Sequence, residues 1–105
     1  MAESKPIIRF FFAKLKDAWH EQSEEEQMEF MRKDRARLDE LGCAFTMYDL
    51  RWSNEEWQFI GVEEWPNLEA LEKYAAFQKE ELKGPSYVDA KVYLATRVAE
   101  EYGNE

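Results

Sequence analysis

Apolar and polar residues alternate in four segments of the chain, and this spacing predicts four β-strands. The segments are residues 7–15, 43–52, 56–64 and 88–98. In the first, Ile8, Phe10 and Phe12 fall on one face and Arg9 and Phe11 on the other. Apolar residues occur on both faces of these segments, so we expect both sides of the sheet to be covered to some extent.

The region between the first two strands has helical spacing instead. Residues 16–22 are expected to form a linker, after which Ser23 and Glu26 have the pattern of a capping box at a helix start. Gly42 stands where the end of a helix needs a left-handed residue. The buried side of this helix is expected to consist of Met28, Met31, Leu38 and Leu41, with Phe30 beside them.

A second helix is predicted between the third and fourth strands. Pro66 and Asn67 end the strand and cap the helix, and the sequence Lys83-Gly84-Pro85 stops it. Its apolar positions are Leu68, Leu71, Ala75 and Leu82, flanked by Tyr74 and Phe77.

The order strand, helix, strand, strand, helix, strand predicts a ferredoxin-like α+β fold with a four-stranded antiparallel sheet. Ser53 and Asn54 supply the turn of a hairpin between the second and third strands. No linker or repeat divides the chain, so residues 1–105 are expected to form one domain.

The chain has 105 residues and a formal net charge of −9, which argues against nucleic acids and anionic membranes as partners. The apolar run near the amino terminus is too short to span a bilayer and lacks the layout of a signal peptide. Cys43 is the only cysteine and is expected to be a small buried hydrophobe. These features predict a soluble, cytoplasmic protein.

Two helices on one face of the sheet would leave the other face bare. Because that second face is also apolar, the pattern predicts a homodimer that packs through it. Covering a few hundred Å² would contribute several kcal/mol at roughly 25 cal/mol per Å², before the cost of association is subtracted.

The segment Phe59-Ile60-Gly61-Val62-Glu63-Glu64-Trp65-Pro66-Asn67-Leu68-Glu69-Ala70-Leu71 resembles the strand-to-helix passage of the dimeric α+β barrel superfamily. This superfamily includes antibiotic-biosynthesis-monooxygenase-like and EthD-like proteins, and the resemblance covers residues 7–98. It implies two sheets packed face to face, with a pocket between the sheet and the helices of each subunit. Many members carry a His in the second helix, but residues 72–77 contain none here, so heme ligation and His-assisted chemistry are not carried over.

Two charged residues stand out as candidates for a site. His20 is the only imidazole and is either an acid or base at the rim of a pocket or an exposed linker residue. Arg9 lies in a strand expected to be central, where its charge needs a partner. Asp49, Glu63 or a substrate carboxylate would serve, which makes Arg9 either half of an ion pair or a ligand anchor.

Aromatic residues make up 15% of the chain and either fill the interior or line a site for a flat ligand. The candidates near the sheet and second helix are Tyr48, Trp57, Tyr74, Phe77 and Tyr93. Glu63 and Glu64 alternate in direction, so at most one points inward, where burial would favour the protonated form needed for proton transfer.

Together these patterns lead to a first hypothesis, a homodimer with a small-molecule pocket in each subunit. The ligand would be apolar, aromatic or polyketide-like, and the reaction an oxygenation, cyclisation, lyase-type or other proton-transfer step without metal or other cofactor. His20, Tyr48, Glu63 and Tyr74 are the predicted catalytic residues, and Arg9, Trp57, Phe77 and Tyr93 the predicted substrate contacts. The alternatives are a non-catalytic dimeric module that binds a ligand or partner, and a monomeric ferredoxin-like domain.

Overall fold

The structure, a computed structural model, describes residues 6–98. The elements are β1 (Ile7–Leu15), α1 (Asp17–His20), α2 (Glu24–Glu40), β2 (Ala44–Asp49), β3 (Phe59–Trp65), α3 (Leu68–Phe77) and β4 (Val88–Ala95). A π-helical turn, Gln78–Leu82, continues α3, and a 3-10 turn, Gly84–Ser86, precedes β4. The predicted order is confirmed, with α1 as a helical turn inside the segment expected to be a linker.

The four strands form one antiparallel sheet in the order β2-β3-β1-β4. The predicted hairpin is present as the β2–β3 pair, and the predicted central position of β1 is confirmed. Arg9 therefore has a neighbour on each side, Glu63 on β3 and Leu94 on β4. This arrangement is the ferredoxin-like α+β fold that the sequence predicts.

Strand register divides the side chains between two faces of the sheet. The inner face is turned toward the helices, since the Trp65 ring packs against Tyr74 of α3 with ring centroids 5.0 Å apart. It carries Arg9, Phe11, Met47, Gly61, Glu63, Trp65, Val92 and Leu94. The outer face carries Ile8, Phe10, Phe12, Tyr48, Ile60, Val62 and Tyr93.

Local signals determine the helix ends. Ser23 forms the predicted capping box with Glu26, and the Asn67 side chain accepts a hydrogen bond from the Ala70 backbone. Gly42 has the predicted left-handed conformation, with φ of 79°. The left-handed residue after the π-helical turn is Lys83, with φ of 59°, rather than the glycine that follows it.

Two clusters hold the helices on the inner face. The main core contains Leu38, Cys43, Trp65, Leu71 and Tyr74. A second cluster joins α1, α2 and the residue before β4 through edge-on contacts among the rings of Trp19, Phe30 and Tyr87. The buried position predicted for Cys43 is confirmed.

Part of the predicted helix packing is wrong. Met28 and Met31 of α2 are 61% and 50% exposed, and Leu68 and Ala75 of α3 are exposed as well. The apolar side of each helix extends beyond the two clusters, so Met28 and Met31 are at least half exposed. No helix in the described part of the chain is long and apolar enough to cross a membrane.

Candidate functional site on the inner face of the sheet

Arg9 and Glu63 form an ion pair in the centre of the inner face. Arg9 Nη1 donates a hydrogen bond of 2.8 Å to Glu63 Oε1, and the Trp65 indole N–H donates to the same oxygen at 3.0 Å. The Glu63 side chain is only 3% exposed, so its charge depends on these two donors. Of the partners considered for Arg9, Glu63 is the one present, whereas Asp49 pairs with Arg51.

The Arg9 guanidinium has donors to spare. It carries five N–H groups, and Nη1 is the only nitrogen with a hydrogen-bond partner among the described residues. Its carbon lies 4.9 Å from the centroid of the Phe11 ring, and the side chain is 20% exposed. Neither Nε nor Nη2 is sealed from solvent. The Arg9 guanidinium therefore has free hydrogen-bond donors that solvent or a ligand can reach.

The inner face around Arg9 is apolar and uncovered. Leu94, directly opposite Arg9, is 56% exposed, and Val92, opposite Phe11, is 43% exposed. Met47 of β2, on the other side of Phe11 from Val92, is 45% exposed. The Phe11 ring lies across Gly61, since a Cβ there would come within 2.2 Å of two ring atoms.

Helix α2 passes above this surface. Met31 stands one turn before Asp34 and two turns before the buried Leu38, which places it on the side of α2 turned toward the sheet. We call the region bounded by Arg9, Phe11, Met47, Val92 and Leu94 the Arg9 cleft.

Asp34, a residue that the sequence did not single out, lies near this ion pair. Its Oδ1 accepts hydrogen bonds from the Tyr74 hydroxyl at 2.6 Å and from Gln78 Nε2 at 3.0 Å. Burial raises the pKa of the Asp34 carboxyl, and the charge of Glu63 adds to this, while the two hydrogen bonds and Arg9 oppose it. Burial likewise raises the pKa of Tyr74, which keeps it a hydrogen-bond donor.

The remaining candidates lie elsewhere. His20 is exposed at the end of α1. Tyr48 and Tyr93 are 55% and 49% exposed on the outer face, where Trp57 also packs against a neighbouring ring. Phe77 is partly buried beside Tyr74. One chain thus brings Arg9, Glu63 and Tyr74 to the inner side of the sheet and leaves His20 and the three outer-face aromatics apart from them.

Two surface grooves border the helices. One of about 350 Å³ lies between α2 and the segment 81–87, and one of about 490 Å³ lies between α2 and Phe77. The cations that line the second groove, Arg32, Lys33 and Arg37, pair with neighbouring glutamates. Among the described residues, the lining of these grooves has no unpaired cation comparable to Arg9 with its free donors.

Metal-binding and thiol chemistry find little support in the described residues. Across residues 6–98, no three His, Cys, Asp or Glu side chains are grouped as a metal site requires. Burial raises the pKa of the Cys43 thiol to about 12, and the nearby Glu63 charge contributes. A protonated thiol is a poor nucleophile and a poor ligand.

No family model matches the sequence, and no curated protein matches it. Among solved structures, a variant of the chlorite dismutase from Candidatus Nitrospira defluvii has a TM-score of 0.72 and 12% identity, covering 97% of this chain and 44% of its own. The same enzyme in complex with imidazole has a TM-score of 0.70 and 12% identity, covering 99% and 45%. A heme-binding protein from Thermus thermophilus has a TM-score of 0.72 and 12% identity, covering 96% and 43%. This chain thus shares their fold and spans less than half the length of each.

Proposed function

We propose that the protein binds a small organic anion with an apolar body in the Arg9 cleft. The observation that carries this proposal is the guanidinium of Arg9, which keeps free donors beside uncovered apolar side chains. Charge-assisted hydrogen bonds from a guanidinium fix a carboxylate or sulfonate strongly, and apolar walls take up the rest of such a molecule. The aromatic or polyketide-like compounds expected from the sequence belong to this ligand class when they carry an acidic group.

The net charge of the chain limits how it can capture an anion. At −9, the protein as a whole repels anions, so capture of an anion has to come from local contacts rather than from long-range attraction. Arg9 provides such a contact because Glu63 uses only one of its donor nitrogens.

Heme, which one protein of this fold binds, does not fit the residues of the cleft. A heme site needs an axial ligand such as His, Cys or Tyr, or Met together with His. The only imidazole in the sequence is His20, which is exposed at the end of α1 and is not part of the cleft. The thiol of Cys43 is protonated, and the Tyr74 hydroxyl donates to Asp34. We therefore assign no role to heme.

The positions of the predicted catalytic residues favour binding without turnover over catalysis. A cofactor-independent monooxygenase, cyclase or lyase needs a proton-transfer group next to its substrate. His20 and Tyr48 lie away from the cleft, and Oε1 of Glu63 already accepts two hydrogen bonds. None of the predicted catalytic residues is therefore free to transfer a proton in the cleft, and of the functions considered the non-catalytic ligand-binding module agrees best with their positions.

We also propose that the protein is a homodimer packed through the outer face. Phe10, Phe12, Ile60 and Val62 form an apolar centre there, and the half-exposed Tyr48 flanks it on β2. No helix of the described chain packs over this face, because the helices lie on the inner side. A second copy would remove these side chains from water, which is the main source of association energy.

Substitutions at two neighbouring residues on edge strand β4 test the anion site and the dimer separately. Leu94 points into the cleft and Tyr93 into the outer face, and both are about half exposed, so each tolerates substitution. The probe is naphthalenesulfonate, with neutral naphthalenemethanol as the comparison ligand. Calorimetry on the wild type should show one sulfonate bound per chain and at least about tenfold weaker binding of the alcohol, a difference of about 1.4 kcal/mol.

Leu94→Asn should weaken sulfonate binding and leave the dimer intact by analytical ultracentrifugation. Tyr93→Asn should weaken the dimer and leave sulfonate binding intact. If Leu94→Asn binds the sulfonate as tightly as the wild type does, the cleft is not the site. A wild-type protein that is monomeric at micromolar concentration would refute the dimer.

A further inference from the structure

We propose that Asp34 is the proton-bearing group of the Arg9 cleft: its oxygen Oδ2 carries a proton when an anion is bound and donates a hydrogen bond to that anion. Capture of each anion then takes up a proton from solvent. This inference rests on the proposed function and adds to it the means by which binding is regulated.

The hydrogen bonds of Asp34 hold its carboxyl in one orientation. Oδ1 is fixed from two sides, by the Tyr74 hydroxyl of α3 and by the Gln78 amide of the π-helical turn. Tyr74 is itself 4% exposed and packed against Trp65, so this support is rigid. Oδ2 accepts no hydrogen bond from the described residues and is not sealed from solvent. One oxygen is therefore anchored and the other remains available.

The surroundings of Asp34 favour a neutral carboxyl once an anion arrives. From the sheet it faces Glu63 and Arg9, which largely cancel each other as an ion pair. From the other elements it faces the neutral groups Tyr74, Gln78 and Cys43. On α2 itself, the neighbouring cations are committed to other carboxylates, in the pairs Lys33–Glu29, Arg35–Asp39 and Arg37–Glu40.

An anion at Arg9 adds a negative charge beside Asp34. Two neighbouring anions in a partly buried site cannot both stay ionised without a large cost, and the weaker acid takes the proton. A sulfonate is a far stronger acid than a carboxyl, so the proton goes to Asp34. In the balanced step, the Asp34 carboxylate and one proton from solvent become the carboxylic acid, which donates to the anion. On release of the anion the proton returns to solvent, and no covalent bond to the ligand forms.

The test is calorimetry of naphthalenesulfonate binding in two buffers of different ionisation enthalpy, which gives the number of protons taken up per anion. The wild type should take up a measurable fraction of a proton near neutral pH. Its affinity should rise toward acid pH, with a limiting slope of about tenfold per pH unit for one linked proton. The sulfonate stays ionised throughout, so every proton counted belongs to the protein.

Asp34→Asn should abolish the proton uptake and bind the sulfonate at alkaline pH at least as tightly as the wild type does. The Asn oxygen still accepts from Tyr74 and Gln78, and its NH₂ group replaces the O–H donor. Asp39→Asn is the matched control, since it removes one carboxylate from the same helix at an exposed position and should keep the proton uptake. Tyr74→Phe removes a hydrogen bond that lowers the pKa of Asp34, so the pH dependence should shift to higher pH.

The outcomes distinguish the two proposals. If Asp34→Asn keeps the wild-type proton uptake, or if Asp39→Asn loses it equally, the role of Asp34 is refuted and the cleft remains the binding site. If the wild type shows no sulfonate binding that depends on Leu94, the proposed function fails, and this inference fails with it.

Discussion

Replacing Arg9 with Met tests both roles assigned to this residue, the pairing of Glu63 and the anchoring of a ligand. Met keeps an apolar stem of similar length but removes the charge. Glu63 would then be a carboxylate 3% exposed whose one remaining donor among the described residues is the Trp65 indole. Removing one partner of a buried ion pair costs about 3–5 kcal/mol, and we expect about 3, because the Trp65 indole still donates a hydrogen bond to Glu63.

The assay is urea unfolding followed by tryptophan fluorescence at a fixed protein concentration, since the stability of the proposed dimer would depend on concentration. With a urea slope of about 1.5 kcal/mol per M, a loss of about 3 kcal/mol lowers the unfolding midpoint by about 2 M. The double variant Arg9→Met/Glu63→Gln should recover most of this loss, because the glutamine side chain is uncharged and still accepts from Trp65. Both variants should lose naphthalenesulfonate binding.

Two results would refute this reasoning. If the single variant loses less than about 1 kcal/mol, or if the double variant is no more stable than the single one, the ion pair does not balance a buried charge as described. If either variant binds the sulfonate as tightly as the wild type, Arg9 is not the anchor, whatever happens to stability. Arg51→Met, which removes a cation from an exposed pair, is the control and should change neither measurement by much.

Four further predictions concern single positions. Gly61→Ala should destabilise the protein by about 1–3 kcal/mol in urea unfolding, because its Cβ would overlap the Phe11 ring; an unchanged midpoint would contradict that packing. Cys43 should react with a thiol reagent at mildly alkaline pH only as fast as the protein opens, since burial raises its pKa to about 12; rapid labelling of the folded protein would argue against it. Ser23→Ala should cost about 1 kcal/mol through loss of the capping box, measured by thermal unfolding, and a neutral result would mean that the cap contributes nothing. Burial raises the pKa of Asp34, so its contribution to stability is present at acid pH and is lost as the pH rises through its folded value; Asp34→Asn should remove that loss from the pH–stability profile, and an unchanged profile would disprove it.

Local sequence signals predicted the framework of the fold. The capping box at Ser23, the cap at Asn67 and the left-handed Gly42 each depend on a few neighbouring residues, and each is present. The pairing of Arg9 with Glu63 could be predicted from the sequence as well. Alternation along each strand put both charges on the inner face, and the strand order expected for this fold put them next to each other.

The packing of α2 could not be predicted in the same way. Helical spacing marked Met28 and Met31 as buried, but spacing shows only which side of a helix is apolar, not how much of it a sheet covers. Asp34 was missed because it stands among charged residues in a helix that is mostly solvated. Its two hydrogen-bond partners lie 40 and 44 residues further along the chain, so only the tertiary structure reveals them.

The aromatic candidates show how strand direction limits which side chains can meet. Strand parity alone separates Tyr48 and Tyr93 from Phe11, because they point to opposite faces of the sheet. The sequence nevertheless groups Tyr48 and Tyr93 with Tyr74 and Phe77, because a surplus of aromatic residues favours a pocket lined by rings. Strand alternation would have been the better guide to which side chains meet within one chain.

The central position of β1 has a consequence for how the chain folds. The β2–β3 hairpin closes through a local loop, whereas β1 joins β4 through pairs such as Ile8 with Ala95, which nearly span the chain. Pairings between distant residues form slowly, because a long stretch of chain loses its freedom before the contact is made. During synthesis β1 leaves the ribosome before its partners β3 and β4, so its three consecutive phenylalanines, Phe10 to Phe12, stay unpaired until those strands follow. Chaperones that recognise exposed aromatic segments should meet this protein there first.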